Sequence, residues 1–359
     1  MIQCRHMNGF KLPEIRIGNK VAKVPVFQGG MSIRVSTAPL CGAVAREGAV
    51  GIIGGSGIPP QEIIDQLHEA RRISPDGIIG VNIMYVARDF MELCEASLKG
   101  GADFIISGAG FSRDLFKFGK DNHLPIISIV SSAKAAVMAE KCGADAIVVE
   151  GGEAGGHLGT RESVWKIFPE VMAAVKSKIP ILPAGGITNG YEIRKAIEMG
   201  AAGVQMATRF LMSQECTVSE NFKNLLKNAK KEDVVVVKSP VGMPGRAILT
   251  PFVQKMFTNS KDLFERCKVN CMKFCDHFYC IVDRLVWAIE GDIENGLFFT
   301  GANVWKMNDI PPVKEIVSRL VTEAEAQNQP SLADINNPEL AQYYALHLQH
   351  QKQPELMAV

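Results

Sequence analysis

The sequence predicts an α/β protein: a closed (β/α)8 TIM barrel carrying a smaller, mainly helical second domain. Three observations predict it. Eight short β-branched runs alternate with stretches of helical period, each run ends in glycine or a small polar residue, and the alternation stops near residue 211. Continuous apolar strands joined by helical crossovers mean a parallel sheet covered on both faces, and eight units at this spacing fit a closed barrel better than an open sheet.

In order, the runs are VPVFQGG (24–30), VGIIGG (50–55), IIGVNIM (78–84), ADFIISG (102–108), PIISIV (125–130), ADAIVVEG (144–151), PILPAGG (180–186) and GVQMATRF (203–210). Candidate helices lie between them, among them 37–47, 61–72, 133–142 and 163–176; KCGADA and EMGAAG each place a helix-ending glycine just before the next strand. Beyond residue 211, SENFKNLLKNAKKED reads as a polar helix, VVVVKSPVGMPGRAI as a strand and turn, and 253–290 as helix bearing a cysteine cluster. These assign 14–215 to the barrel and 216–310 to a smaller helical lid. PPVKEIVSRLVTEAEA (311–326) opens on prolines suited to a first helical turn and is expected to return as the barrel's last helix. The tail 327–359, rich in Gln, Asn, Pro and His, is expected to be poorly ordered.

Charge narrows the function. Lys plus Arg (39) nearly cancel Asp plus Glu (38) in 359 residues, so no basic field attracts nucleic acid or anionic lipid, and a small ligand is the default partner. The N-terminus has no apolar h-region and nothing approaches about 18 uninterrupted apolar residues, so a cytoplasmic protein is expected. Nine cysteines, an odd number scattered through the elements, suit a reducing compartment.

The strand ends are unusually bare of side chain: QGGM (28–31), GGSG (54–57), GAG (108–110), EGGEAGGHLG (150–159) and AGGITNG (184–190). Tight βα turns explain any single pair. Five, all at carboxyl ends where barrels bind ligands, imply a flat ligand lying on backbone and using main-chain N–H donors. The glycines after strand seven, in register with QMATR after strand eight, stand where many barrels hold a phosphate.

Three other features carry alternatives. Cys267, Cys271, Cys275 and Cys280 form C-x3-C-x3-C-x4-C, the first three at i, i+4, i+8 of a helix; core packing and a metal or cluster both stay open, although metal sites usually use tighter C-x2-C knuckles. Lys223, Lys227, Lys230 and Lys231 read as a basic stripe, either a solvated face or a dock for an acidic carrier protein. Arg246, on a Gly/Pro-rich segment, is either part of a turn or a ligand for a substrate or cofactor phosphate.

Taken together, VPVFQGGM, VGIIGGSG, GVNIM, ISGAG, VVEGGEAGGHLG, PILPAGGI and GVQMATRF, in this order, resemble the nitronate monooxygenase (2-nitropropane dioxygenase) family, which also contains the flavin-dependent enoyl-acyl carrier protein reductases. The resemblance covers 14–215 closely and the remainder loosely. It implies an FMN-dependent barrel whose helical domain closes over the flavin. It places Gly29, Gly30 and Met31 near the ring, Asn82 after strand three, Glu150 toward the ribityl chain, and Gly185, Gly186, Ala207 and Thr208 at the phosphate. Metal ligands are not among these residues. His157 would be the active-site histidine, and Gly301 a minor candidate near the flavin. Two positions depart from the family pattern: Ala207 stands where glycine is usual, and Asn189 where aspartate is common.

His157 and Glu153 are the titratable groups of the EAGGH loop, and an ordinary imidazole pKa near 6.5 suits proton exchange at neutral pH. Two activities follow from the resemblance. The favoured one is oxidation of alkyl nitronates with dioxygen. The other is reduction of an enoyl thioester with NAD(P)H, with acyl carrier protein as an open partner; a homodimer also stays open. A third class, a phosphate-binding barrel without flavin, is disfavoured for aldolases because none of the eight runs carries a Schiff-base lysine.

Overall fold

The computed structural model describes residues 10–258, 263, 267 and 270–326; the tail expectation for 327–359 lies outside them. Residues Leu12–Ala324 form one compact unit. Outside it, Lys11 pairs with Glu325.

The chain starts with a hairpin, β1 (Ile15–Ile17) and β2 (Lys20–Ala22), in antiparallel register. Eight parallel strands then close a barrel in the order β10-β11-β3-β4-β5-β6-β7-β8: β3 (Val26–Gln28), β4 (Val50–Gly54), β5 (Ile78–Met84), β6 (Phe104–Gly108), β7 (Ile126–Val130), β8 (Ala146–Glu150), β10 (Ile181–Ala184) and β11 (Val204–Met206). Each expected run holds one barrel strand. The two-residue β9 (Gly156–His157) lies outside the barrel.

Helices α1 (Ala38–Arg46), α2 (Pro60–Ile73), α3 (Phe90–Lys99), α4 (Arg113–Asp121), α5 (Ala133–Cys142), α6 (Val164–Ala174) and α7 (Gly190–Glu198) follow the strands, and β11 runs into the one-turn α8 (Thr208–Leu211). The sequence supplies their boundaries. Ser112, Ser132, Ser163 and Asn189 cap α4 to α7 by accepting a first-turn N–H, and Gly143 stops α5 in the left-handed region at φ 90°.

The barrel interior is a layer of apolar side chains that includes Phe27, Ile52, Phe104, Ile127, Val148 and Leu182. Ile15, Ile17 and Ala22 of the hairpin pack into the same cluster, together with Ile78 from the first position of β5. The hairpin therefore covers the amino-terminal mouth and leaves the carboxyl-terminal mouth for a ligand. Strands β3 and β4 share one paired position, Phe27↔Val50. Buried Gln28 bridges that seam: its Nε2 donates to the Ser36 hydroxyl (2.8 Å) and the Ile52 carbonyl (3.2 Å), and its Oε1 accepts the Ile52 N–H (3.1 Å).

The remaining elements are α9 (Glu220–Lys227), β12 (Val234–Lys238), β13 (Pro244–Ile248), α10 (Pro251–Thr258), α11 (Ile281–Glu290) and α12 (Val313–Glu325). Helix α12 meets the start of α7, where Glu323 accepts the Gly190 N–H at 2.7 Å. Strands β12, β13 and β9 make a small antiparallel sheet, so the second region grips a barrel loop through backbone pairing. No helix among the described residues is long and apolar enough to cross a membrane.

Candidate functional site

The site's floor is backbone. A Cβ on Gly30 would stand 2.4 Å from the Asn82 Cβ and 2.8 Å from Ile52 Cγ2, so no side chain fits at the end of β3. At Gly29 it would stand 3.1 Å from the Ala207 methyl, so the methyl added by Ala207 is accommodated against a glycine. The Gly29 N–H donates to the Met206 carbonyl (2.8 Å), and the Met31 N–H to the Ser36 hydroxyl (2.9 Å), fixing this turn against β11.

Above the floor opens a cavity of about 640 Å³, lined by Gly29, Gly30, Met31, Asn82, Glu150, His157, Ala207 and Thr208 among others. It contains unusual loose ends. Buried polar atoms ordinarily find partners, yet Asn82 Oδ1, Gln205 Oε1 and Thr300 Oγ1 are buried without one and all three residues line this cavity. Asn82 Nδ2 donates to the Gly30 carbonyl at 2.7 Å, which fixes the amide and leaves its oxygen as the acceptor. A bare turn beside orphaned acceptors and a hydroxyl fits a flat, polar-edged ligand.

Gly185, Gly186, Ala207 and Thr208 meet in an adjoining pocket of about 70 Å³, with Glu150 on the wall shared with the larger cavity. Gly186 has φ 75°, and a Cβ there would lie 2.9 Å from the Glu153 Cβ. Asn303 Nδ2 donates to the Gly186 carbonyl (2.7 Å), and the Thr208 hydroxyl accepts the Gly301 N–H (3.0 Å), so the segment after residue 290 braces the loop. Glu150, at the end of β8, still touches the cavity, but burial pushes its carboxyl up to about 8.

His157 owes its position to long-range pairing. Its strand β9 pairs with β13 in the register Gly245↔His157, and the Leu158 N–H donates to the Pro244 carbonyl at 2.8 Å. His157 Nε2 and the Ser239 hydroxyl are 2.8 Å apart. Phe299 meets the imidazole edge-on, centroids 5.3 Å apart. Burial lowers the imidazole to about 4, so at neutral pH it is uncharged, which corrects the near-neutral titration expected from the sequence. Glu153 caps the next helix instead of facing the ring, its Oε2 accepting the Val164 N–H at 3.0 Å.

All ten residues expected at the site therefore line these two pockets. Sequence reasoning missed Gln205, Thr300, Ser239 and Phe299. The first was legible as a polar residue inside the apolar run GVQM; Thr300 adjoins Gly301; the other two reach the site only through tertiary pairing.

Three other expectations change. Arg246 Nε donates to the Ala154 carbonyl (3.1 Å), and its Nη2 to that of Gly152, so it ties down the EAGGH loop. The basic stripe breaks up, because α9 ends at Lys227 and Lys223 is buried, paired with Glu220 at 3.2 Å. The cysteine segment is not helical between α10 and α11 where described: Asn270 and His277 adopt positive φ, and Met272 bridges antiparallel to Ala87.

The family model for nitronate monooxygenase matches residues 16–100 and 94–323. A Mycobacterium tuberculosis 5-hydroxy-7a-methyl-1-oxo-octahydro-1H-indene-4-carboxyl-CoA dehydrogenase is 28% identical over 340 residues, covering 86% of this chain and 95% of that protein. A probable nitronate monooxygenase of Staphylococcus aureus is 28% identical, covering 67% of this chain and 79% of its own length. Among solved structures, FabK from Thermotoga maritima superposes with TM-score 0.75 at 31% identity, over 84% of this chain and 92% of that one.

Proposed function

This chain belongs to the nitronate monooxygenase family, and from that premise we propose that it is an FMN-dependent oxidoreductase that oxidises alkyl nitronates with dioxygen. The observation that carries this reading is the set of orphaned atoms, Asn82 Oδ1, Gln205 Oε1 and Thr300 Oγ1, beside an uncharged His157 in one cavity.

The residues fit the cofactor. Asn82 and Gln205 would accept from ring N–H groups, and Gly29, Gly30 and Met31 would lie along its flat face. Glu150 would meet the ribityl hydroxyls, and Gly185, Gly186, Ala207 and Thr208 would hold the phosphate. When bound, the flavin supplies the redox chemistry between the nitronate and dioxygen. The protein's part is orientation and proton handling. His157 commits Nε2 to Ser239, leaving Nδ1 to hold the nitro oxygens of a nitronate, or to take the α-carbon proton of the parent nitroalkane, which converts it to the nitronate. An imidazole near 4 is in the accepting state throughout neutral pH.

A second reading, reduction of an enoyl thioester by NAD(P)H, is favoured by the cavity's breadth and by apolar walls at Phe111, Met138, Leu285 and Ile289, which suit an acyl chain. The resemblance to FabK points the same way, and the carboxyl-CoA dehydrogenase by its name acts on a thioester, though in the oxidising direction. One experiment separates them: oxygen uptake by the yellow enzyme with propyl nitronate, against anaerobic NAD(P)H oxidation dependent on crotonyl thioester. Uptake without thioester-dependent oxidation supports the oxygenase; the reverse replaces it with the reductase.

A further inference from the structure

Cys267, Cys271, Cys275 and Cys280 all line a second cavity, of about 240 Å³, that shares no lining residue with the one at the strand ends. We propose that this cavity binds an iron–sulfur cluster ligated by these four thiolates.

Core packing accounts for them only in part: Cys271 and Cys275 pack against the small cluster around Phe252 and Tyr279, but all four cysteines border the void. Cys41, Cys94 and Cys216 are buried, as thiols acting as small hydrophobes are, whereas Cys267 is exposed and the other three are partly exposed around a void. Nor do they form an ion site. Zinc draws its sulfurs to about 2.3 Å from one point, and among the described residues no three His, Cys, Asp or Glu side chains converge in this way. Thiolates spread around a volume match a cluster, in which ligands are shared among several irons.

Positive groups border the cavity, while Asp283 in the first turn of α11 stands against Cys280. Cys280 is the N-cap of the ten-residue α11, at the positive end of its dipole, and Arg88 and Lys273 also line the cavity. The Asn270 N–H donates to Cys267 Sγ at 3.1 Å, the kind of hydrogen bond that tunes ligating sulfurs. The segment is also held in place. The Arg88 N–H donates to the Cys271 carbonyl (3.0 Å) and the Lys273 N–H to that of Val86 (2.8 Å), while the Arg88 guanidinium grips the Asn270 carbonyl at 3.0 Å. Cys271 is thus fastened by backbone to the residues after β5, and Cys280 to the start of α11.

The test uses the full chain, expressed and purified without oxygen, then incubated with ferric iron, a thiol reductant and sulfide. Expected are at least about two irons and two acid-labile sulfides per chain, and an electron paramagnetic resonance signal at low temperature after dithionite reduction. Cys275→Ser should lower iron at least several-fold while flavin content stays at the wild-type level; Cys142→Ser, outside the cavity, should change neither. Less than one iron per chain after reconstitution of flavin-loaded protein, one zinc in its place, or iron unchanged in Cys275→Ser would each overturn the proposal. Metal content of the unsubstituted chain decides the matter even if that variant fails to fold, and it is independent of which substrate the flavin site takes.

Discussion

The Nε2 of His157 and the hydroxyl of Ser239 stand 2.8 Å apart across 82 residues of sequence. Ser239 is 1% exposed, and the adjacent Lys238 carbonyl accepts the Tyr279 hydroxyl at 3.0 Å, so the imidazole leans on a fixed wall. Ser239→Ala should leave Nε2 without its partner and lower kcat by about tenfold or more, the scale of a lost positioning hydrogen bond at a catalytic base. Flavin content should be unchanged. Steady-state kinetics and the visible spectrum check this; full activity in the variant would show that Ser239 does not position the ring.

His157→Ala should keep its yellow colour and lose turnover by about 10²–10⁴-fold, the usual worth of a positioned acid or base. Because burial holds the ring near 4, its uncharged form persists as pH falls from 8 to about 5, and His157-dependent activity should decline only near 4. Folding stability shares the sign. The unfolded chain takes up the proton first, so the contribution present above about 6.5 is lost as pH falls toward 4. An activity inflection between pH 6 and 7 that disappears in the variant would refute this environment.

Glu150 gives the opposite slope. Its carboxyl rises from 4.5 to about 8, so the folded state favours the protonated acid, a contribution full below 4.5 and lost as pH rises through 8. Flavin-free Glu150→Gln mimics the neutral acid. Its Tm should match the wild type at pH 5 and exceed it at pH 9, measured without cofactor so that ligand binding does not enter. A Tm difference independent of pH would mean that Glu150 is not held protonated.

The orphaned acceptor of Asn82 predicts a binding phenotype. Asn82→Ala should weaken FMN by about tenfold, one good hydrogen bond plus the loosened Gly30 turn, read by fluorescence titration of apoprotein. Affinity equal to wild type would remove Asn82 from the flavin contacts.

Gly186→Ala tests the phosphate end. At φ 75° an L-residue costs about 1–2 kcal/mol, and the methyl would lie 2.9 Å from the Glu153 Cβ. FMN binding should fall while riboflavin binding falls less, so the ratio of the two affinities narrows. An equal loss for both ligands would place the phosphate elsewhere.

How far the sequence went differs between the barrel and the rest. Continuous apolar runs such as IIGVNIM and their glycine ends are local signals, and each run contains the strand it announced. The hairpin β1–β2 escaped notice because IRI and KVA interrupt their apolar residues with charges and lack the longer apolar run that flagged β3 and β11. The cysteine segment misled because spacing at i, i+4, i+8 imitates a helix, while its backbone pairs with the residues after β5.

By itself, the sequence determined the eight parallel strands and the bare carboxyl-terminal mouth, because apolar runs and glycine placement act within a few residues; the ten residues expected there were what its resemblance to the family implied. Only the tertiary structure decided the protonation state of His157, its Ser239 partner and the orphaned atoms of Asn82, Gln205 and Thr300. Those depend on burial and on pairing between β9 and β13. Burial and desolvation are set by what distant segments bring together, and no local spacing encodes them.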